Sequence, residues 1–232
     1  DFSAVDYVFS WLGNVDLLVA IIKLIEDKMN AENDISQVGI QMILLVEDSV
    51  RFYSSILPTL YNFILRQSRR FSTEALNAHE TMMRMRGRPK VMLARNYDEA
   101  IELYNKYSKH ILGVISDVSF VRGDVKDKQA GLKLANYLRS QDPNLPIIIE
   151  SSDSENAEHV ADFNGTFLDK NSKKLPVDLG NAVMKNFGFG DFVIINPQSG
   201  EEIMRIRNLK EFQDNVFNIP ADSLLYHAQR DH

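Results

Sequence analysis

Short β-rich runs alternate with helical patterns between Gln41 and Phe187, and this alternation constrains the fold more than any other feature of the sequence. The runs consist mainly of Ile, Leu and Val, whereas the segments between them repeat apolar residues three and four positions apart. Parallel strands need crossover connections, and helices then cover both faces of the sheet. The pattern therefore predicts an α/β fold with a doubly wound, five-stranded parallel sheet and an extended first helix.

Polar side chains follow the apolar runs of several predicted strands. "LLVED" ends on Glu47 and Asp48, "VISD" ends on Asp117, and the runs "IIIESS" and "FLDK" lead to Ser151 and Lys170. Ligands of open α/β sheets bind at the carboxyl ends of the strands. We therefore expect these five side chains to converge on one edge. An aspartate in this position can also be an ordinary turn or helix cap, so Asp117 taken alone leaves both interpretations open.

Taken in this order, "LLVED", "VISD", "AGLKL", "IIIESS" and "FLDK" resemble the motifs of CheY-like receiver domains of two-component response regulators. The resemblance covers roughly residues 41–187 and implies the strand order 2-1-3-4-5. It implies that Asp117 is the phosphoacceptor and that Lys170 and Ser151 contact the phosphoryl group. It further implies that Phe167 is an aromatic switch residue.

Three crowded carboxylates predict a cation at this edge, because like charges repel and oxygen ligands suit Mg²⁺. We expect Asp48 to be the main ligand and Asp117 another, with Glu47 binding through water or positioning the metal. The resemblance adds the backbone carbonyl of Ser119 as a ligand. Positioning and charge neutralisation are most of what phosphoryl transfer requires, and this set of residues offers both.

The resemblance implies a bacterial, cytoplasmic signalling module that catalyses its own phosphorylation at Asp117. A histidine kinase or phosphotransfer protein would donate the phosphoryl group, and the face between Asp153 and Asn171 would act on a protein partner. A homodimer is a further option. The alternative is a phosphorylation-independent pseudo-receiver scaffold that regulates a linked catalytic domain. Two features depart from the family: Asn171 replaces the usual proline, and the loop after Asp117 is longer and lacks Met-Pro.

Composition argues against several other classes of protein. The net charge of −6 opposes nucleic-acid binding, although arginines dot the later part of the helix expected over Val50–Arg86. The absence of cysteine excludes thiolate chemistry, and the apolar run Leu17–Ile22 is too short to span a membrane. An aspartyl phosphohydrolase needs a second acid two residues after the nucleophile, and this chain has Ser119 at that position. The five histidines lack metal-ligand spacing.

Three regions are expected along the chain. Residues 1–38 resemble the last strand and helix of a degenerate receiver-like unit plus a linker, with the strand at Ala4–Ser10 and the linker at Asn30–Gly39. Residues 39–187 would be the receiver, and residues 188–232 would form a hairpin, turning at "NPQSG", and a helix. The tail resembles the regulatory region of phosphoenolpyruvate synthase or pyruvate phosphate dikinase type proteins. The opening at Asp1 suggests a piece of a longer chain.

The opening strand and helix are too small to bury both of their faces. We therefore expect them to dock on the receiver, on its tail or on a neighbouring chain. The long helix that begins at Val50 offers the largest platform.

Overall fold

A computed structural model describes residues 6–72, 87–187, 192–206 and 215–227. The chain forms two compact units, Asp1–Ala182 and Val183–His232. Within the described ranges, no helix has the length and apolar character needed to cross a membrane.

The larger unit is built on a five-stranded parallel sheet. Its strands are β1 (Met42–Val46), β2 (Lys90–Ala94), β3 (Ile111–Asp117), β6 (Ile147–Ser151) and β7 (Thr166–Asp169). They lie in the order β2-β1-β3-β6-β7, which is 2-1-3-4-5 when only the strands of this sheet are counted. Nearly all residues of the inner strands are buried, as expected where helices cover both faces. The predicted fold class and strand order are confirmed.

Helices flank this sheet in the described residues. They are α1 (Asp16–Ala31), α2 (Val50–Ser72), α3 (Tyr97–Tyr107), α4 (Ala130–Gln141), α5 (Asn156–Asp162) and α6 (Leu175–Phe187). The side chain of Asn96 caps α3 by accepting a hydrogen bond from the Glu99 amide at 2.8 Å. Of the helix expected over Val50–Arg86, the part up to Ser72 is observed, and residues 73–86 lie outside the described residues.

α4 begins directly beside the carboxyl end of β3. A Cβ atom on Gly131 would lie 1.9 Å from the Asp117 carbonyl oxygen, so glycine alone permits this approach. The Gly131 amide also donates a hydrogen bond to the carbonyl of Val118 at 2.9 Å. The sequence motif "AGLKL" therefore fixes the position of the backbone around Asp117.

α1 packs against α2 and β2, which confirms that the opening helix docks on the long helix of the larger unit. The contact centres on the fully buried carboxylate of Asp27. This carboxylate accepts hydrogen bonds from the Arg88 guanidinium at 2.6 and 3.0 Å, from the Tyr61 hydroxyl at 2.8 Å and from the Val91 amide at 2.9 Å. These four hydrogen bonds offset the free-energy cost of burying the charge of Asp27.

Two local expectations for the first region are wrong. The described residues of the segment Ala4–Ser10 form no strand, because their aromatic side chains pack on α2 instead: the Phe9 and Tyr53 rings meet edge to face at 5.7 Å. The segment expected as a linker, Asn30–Gly39, is mostly helical, since α1 is followed by a π-helical turn over Glu32–Gln37. Burial of Ile35 in the core holds this turn in place.

The segment after β3 forms a short antiparallel hairpin where a polar loop was expected. Its strands are β4 (Phe120–Arg122) and β5 (Val125–Asp127). Gly123 adopts a φ of 62° at the turn, a conformation that glycine adopts without strain. The sequence signal for this hairpin is the Gly-Asp pair, flanked on both sides by short runs of apolar and charged residues.

The smaller unit contains a three-stranded antiparallel sheet, with β8 (Phe192–Ile195) between β10 (Leu224–His227) and β9 (Glu202–Ile206). The hairpin predicted around "NPQSG" is confirmed, with β8 at Phe192–Ile195 and β9 at Glu202–Ile206. The third strand, β10 (Leu224–His227), was not predicted from the sequence. Most of the helix expected after the hairpin falls on residues 207–214, outside the described residues, and a short 3-10 turn follows at Val216–Asn218.

Candidate functional site

β1 and β3 place three carboxylates together at one edge of the parallel sheet. Glu47 and Asp48 follow β1 directly, and Asp117 is the last residue of β3, the neighbouring strand. One oxygen from each of the three carboxylates lies within 4.8 Å of the others. Glu47 is buried, whereas Asp48 and Asp117 remain partly open to solvent. The structure therefore brings together the acids that the sequence placed at this edge.

Lys170 bridges two of these carboxylates from the end of β7. Its Nζ donates a hydrogen bond to Glu47 Oε2 at 2.5 Å and lies 2.9 Å from Asp117 Oδ1. The same ammonium lies 4.1 Å from the centroid of the Phe52 ring, at the start of α2, which adds a cation–π contact. Backbone pairing holds the lysine in place, because its amide donates to the Ser151 carbonyl at 2.9 Å.

Burial and charge shift the pKa values of this pair. Burial raises the pKa of Glu47 to about 7, against the lowering effect of the Lys170 ammonium, and the Asp117 carboxylate adds to the rise. Burial alone would lower the pKa of Lys170, but the Glu47 and Asp117 carboxylates outweigh it and raise that pKa. The lysine therefore stays charged and supplies a fixed positive group beside Asp117.

Glu150 adds a fourth acid that the sequence analysis did not single out. It lies in β6, paired in register with Asp117, and it is fully buried. Its Oε1 atom has no hydrogen-bond partner within the described part of the chain. Burial raises the pKa of Glu150 to about 8, and the nearby Lys170 opposes this rise only in part. The carboxyl group is therefore mainly protonated at neutral pH.

The β4–β5 hairpin brings a second lysine to the acidic edge. Lys126 Nζ donates a hydrogen bond to Asp48 Oδ2 at 2.5 Å. About half of the Lys126 side chain is exposed, so the ammonium remains hydrated. This contact has the character of a surface ion pair, which is worth about 0–1 kcal/mol.

Ser151 lies at the end of β6 with its hydroxyl already engaged. Its Oγ accepts hydrogen bonds from the Asp153 amide at 3.1 Å and from Asn156 Nδ2 at 3.0 Å. Asn171 joins the loops after β6 and β7, because its Nδ2 donates to the Ser152 carbonyl at 2.8 Å. The two loops at this end of the sheet are therefore tied together by side chains.

Phe167 and Ser119 occupy the positions expected from the sequence. Phe167 lies in β7, is partly buried and packs against the main hydrophobic core. Ser119 is partly buried between β3 and β4. The roles of both residues, as switch and as carbonyl ligand, stay predictions.

Three residues at this edge were not predicted from the sequence: Lys126, Glu150 and Phe52. Glu150 had a visible signal, since it is the one charged residue inside the apolar run "IIIESS". Lys126 would have followed from recognising the hairpin around Gly123. Phe52 had no comparable signal, because its place beside Lys170 depends on how α2 packs against the sheet.

No protein-family model matches the sequence, and no curated protein matches it either. Among solved structures, the chain is similar to a response regulator receiver domain protein from Clostridium thermocellum, with 17% identity over 63% of this chain and 94% of that chain and a TM-score of 0.43. A response regulator receiver protein from Sinorhizobium medicae shows 20% identity, coverage of 65% and 97%, and a TM-score of 0.44.

A third similar structure is CheY from Borrelia burgdorferi, solved as a CheX–CheY–BeF3–Mg complex. It shows 19% identity over 66% of this chain and 93% of that chain, with a TM-score of 0.42. These similarities do not bear on the expected link to phosphoenolpyruvate synthase or pyruvate phosphate dikinase, which stays a prediction.

Proposed function

We propose that this chain is a phosphorylation-dependent receiver in which Asp117 accepts a phosphoryl group. The observation that carries the proposal is the juxtaposition of three carboxylates within 4.8 Å with the ammonium of Lys170, 2.9 Å from Asp117. A partly exposed carboxylate at a strand end can meet a phosphodonor. The lysine supplies the positive charge that the incoming phosphoryl oxygens require.

Asp117 would act as the nucleophile in an in-line transfer. A carboxylate oxygen attacks phosphorus, and a new oxygen–phosphorus bond forms while the bond from phosphorus to the donor breaks. The bonding electron pair leaves with the donor atom, which is a histidine nitrogen if the donor is a histidine kinase or a phosphotransfer protein. The product is an acyl phosphate, whose oxygens lie within reach of Lys170.

The donor set at this edge fits Mg²⁺. Glu47, Asp48 and Asp117 offer hard oxygen ligands, and the resemblance adds the carbonyl of Ser119. When bound, Mg²⁺ would neutralise charge between these carboxylates and the phosphoryl group.

The phosphorylated edge would signal through the loops after β6 and β7. New phosphoryl oxygens would compete with Glu47 for the Lys170 ammonium and would attract the Ser151 hydroxyl. Movement of Ser151 must break its hydrogen bonds to Asp153 and Asn156, so α5 is the nearest element that has to respond. Phe167 would then turn inward, as the resemblance implies.

The output partner in this proposal is a protein that contacts the face between Asp153 and Asn171. The resemblance suggests a catalytic region later in the same polypeptide and a cytoplasmic setting. A net charge of −6 also favours a protein partner over nucleic acid.

One observation favours the alternative of a phosphorylation-independent scaffold. The Lys126 ammonium occupies a ligand oxygen of Asp48, so a metal ion must displace it. The Lys126 side chain is 53% exposed and the Asp48 side chain 18%. With the ammonium hydrated, the pair contributes about 1 kcal/mol or less, which is too little to exclude a divalent cation from three carboxylates. The balance of these interactions therefore supports the phosphorylated receiver.

Incubation with acetyl phosphate and Mg²⁺, followed by mass spectrometry of the intact chain, tests the proposal. We expect one phosphoryl group per chain in the wild type and none in Asp117→Asn. Asp124→Asn is the matched control, because Asp124 is an exposed aspartate at the hairpin turn. Undiminished incorporation in Asp117→Asn would refute the assignment of the nucleophile. Absence of incorporation in the wild type, with Mg²⁺ bound, would favour the scaffold.

A further inference from the structure

α1 has two apolar faces, and only one of them packs on the larger unit. Leu17, Ala20 and Leu24 are buried against the rest of that unit. The opposite face carries a second set of apolar side chains that are all exposed. We call this set the α1 seam, and its members are Val15, Leu18, Ile22, Ile25 and Met29.

The spacing of the α1 seam is that of a helix–helix interface. Successive members lie three and four residues apart in alternation, which is the seven-residue repeat of coiled coils. Val15, Ile22 and Met29 fall at the first position of the repeat, and Leu18 and Ile25 fall at the fourth. β-Branched residues at the first position with leucine at the fourth are typical of two-stranded coiled coils.

The apolar surface around the seam is concentrated and large. Nine of the sixteen large apolar residues that are exposed in the described part of the chain lie between Val8 and Met29. Trp11, Leu12 and Val19 extend the seam, and Ile22 and Met29 are 62% and 79% exposed. Side chains of these sizes and exposures present on the order of 800 Å², about what each partner contributes to a standard protein interface.

The charges around the seam are suited to a second copy of the same helix. No member of the seam is charged, and its flanks carry both signs: Lys23 and Glu26 form an ion pair at 2.6 Å. Lys28 pairs with Asp6 at 2.5 Å. Two identical helices can therefore approach without uncompensated like charges meeting across the contact.

We propose that the α1 seam is a homodimer interface, in which a second copy of this chain packs its own α1 seam against the first. α1 is already held in place by the buried Asp27 contacts, so association does not have to fold the helix. The proposal does not rest on phosphorylation at Asp117, because the seam lies on a different element from the acidic edge.

Light scattering coupled to size-exclusion chromatography tests this inference on the whole chain. We expect twice the monomer mass of 26.5 kDa for the wild type. Ile22→Glu should weaken the dimer about a hundredfold or more, because it brings two unpaired carboxylates into a desolvated seam. Val177→Glu is the matched control, since Val177 is also 62% exposed and lies on α6. Its dimer should remain intact.

A cysteine variant supplies an independent readout that does not depend on a charge. The natural chain has no cysteine, so a single Ile22→Cys introduces a unique thiol near the middle of the seam. Oxidation should give a covalent dimer for Ile22→Cys but not for Val177→Cys. A monomeric wild type, or a dimer that survives Ile22→Glu and gives no disulfide through Ile22→Cys, would overturn the proposal. Unchanged circular dichroism of each variant confirms that folding is retained.

Discussion

Replacement of Glu150 by glutamine should stabilise the protein in a pH-dependent manner. Burial raises the pKa of this carboxyl group from 4.5 to about 8, so the folded protein holds its proton where the unfolded chain releases it. The stability contributed by the protonated form is fully present below about pH 4.5 and is lost as the pH rises to about 8. Within this window, each rise of one pH unit lowers the free energy of unfolding of the wild type by about 1.4 kcal/mol.

The expected difference in the free energy of unfolding between Glu150→Gln and the wild type is therefore about 3 kcal/mol at pH 7. Above pH 8 the difference should level off near 5 kcal/mol, an upper value because water can enter around a charged Glu150. At pH 5 it should be below about 1 kcal/mol, because the buried carboxylic acid and the amide are then both neutral.

Urea unfolding of both proteins across this pH range measures the difference, followed by tyrosine fluorescence or circular dichroism. Glu102→Gln is the control, since Glu102 is an exposed glutamate on α3. Glu47 titrates in both proteins, so its contribution to the difference in the free energy of unfolding cancels to first order. A difference that does not depend on pH would show that Glu150 is ionised and paired with Lys170 in the folded state, contrary to the reasoning above.

Three further predictions concern other contacts. Lys126→Ala should tighten Mg²⁺ binding about two- to fivefold in isothermal titration calorimetry, because it removes a weak surface competitor, whereas Lys128→Ala should have little effect. Asp27→Ala should lower the free energy of unfolding by about 3–5 kcal/mol in urea, because the buried Arg88 guanidinium loses its hydrogen-bonded carboxylate and keeps that of Glu26, at 3.7 Å. A loss below about 1 kcal/mol would contradict this account. Gly131→Ala should lower the free energy of unfolding by about 3 kcal/mol and slow phosphorylation, because its Cβ would displace the backbone of Asp117. An unchanged melting temperature would show that α4 can shift to accommodate the methyl group.

The acidic edge was predictable because parallel strands end at a common edge, whatever the details of packing. Glu47, Asp48 and Asp117 could therefore be placed together from three short apolar runs, and the structure confirms that they are close. Lys170 followed from the same rule. This rule predicts which side chains lie near one another but not which hydrogen bonds they form. The contacts of Lys170 with both Glu47 and Asp117 could therefore not be predicted from the sequence.

The errors came from segments whose conformation depends on distant contacts. Ala4–Ser10 has the aromatic and β-branched residues of a strand, but no neighbouring strand pairs with its described part, and Phe9 packs on Tyr53 instead. Asn30–Gly39 is polar and would have low helix propensity alone. Burial of Ile35 and an ion pair between Asp34 and Lys90 keep it helical.

The contact between Asp27 and Arg88 has a consequence for how such modules can be recombined. Arg88 precedes the edge strand β2, yet its partner lies in a helix that precedes the whole sheet. A gene fusion that began at residue 39 would carry the guanidinium and the Tyr61 hydroxyl into a new setting without their carboxylate. A segment transplanted as a folded unit should therefore include α1, so that Arg88 and Tyr61 keep the carboxylate they contact.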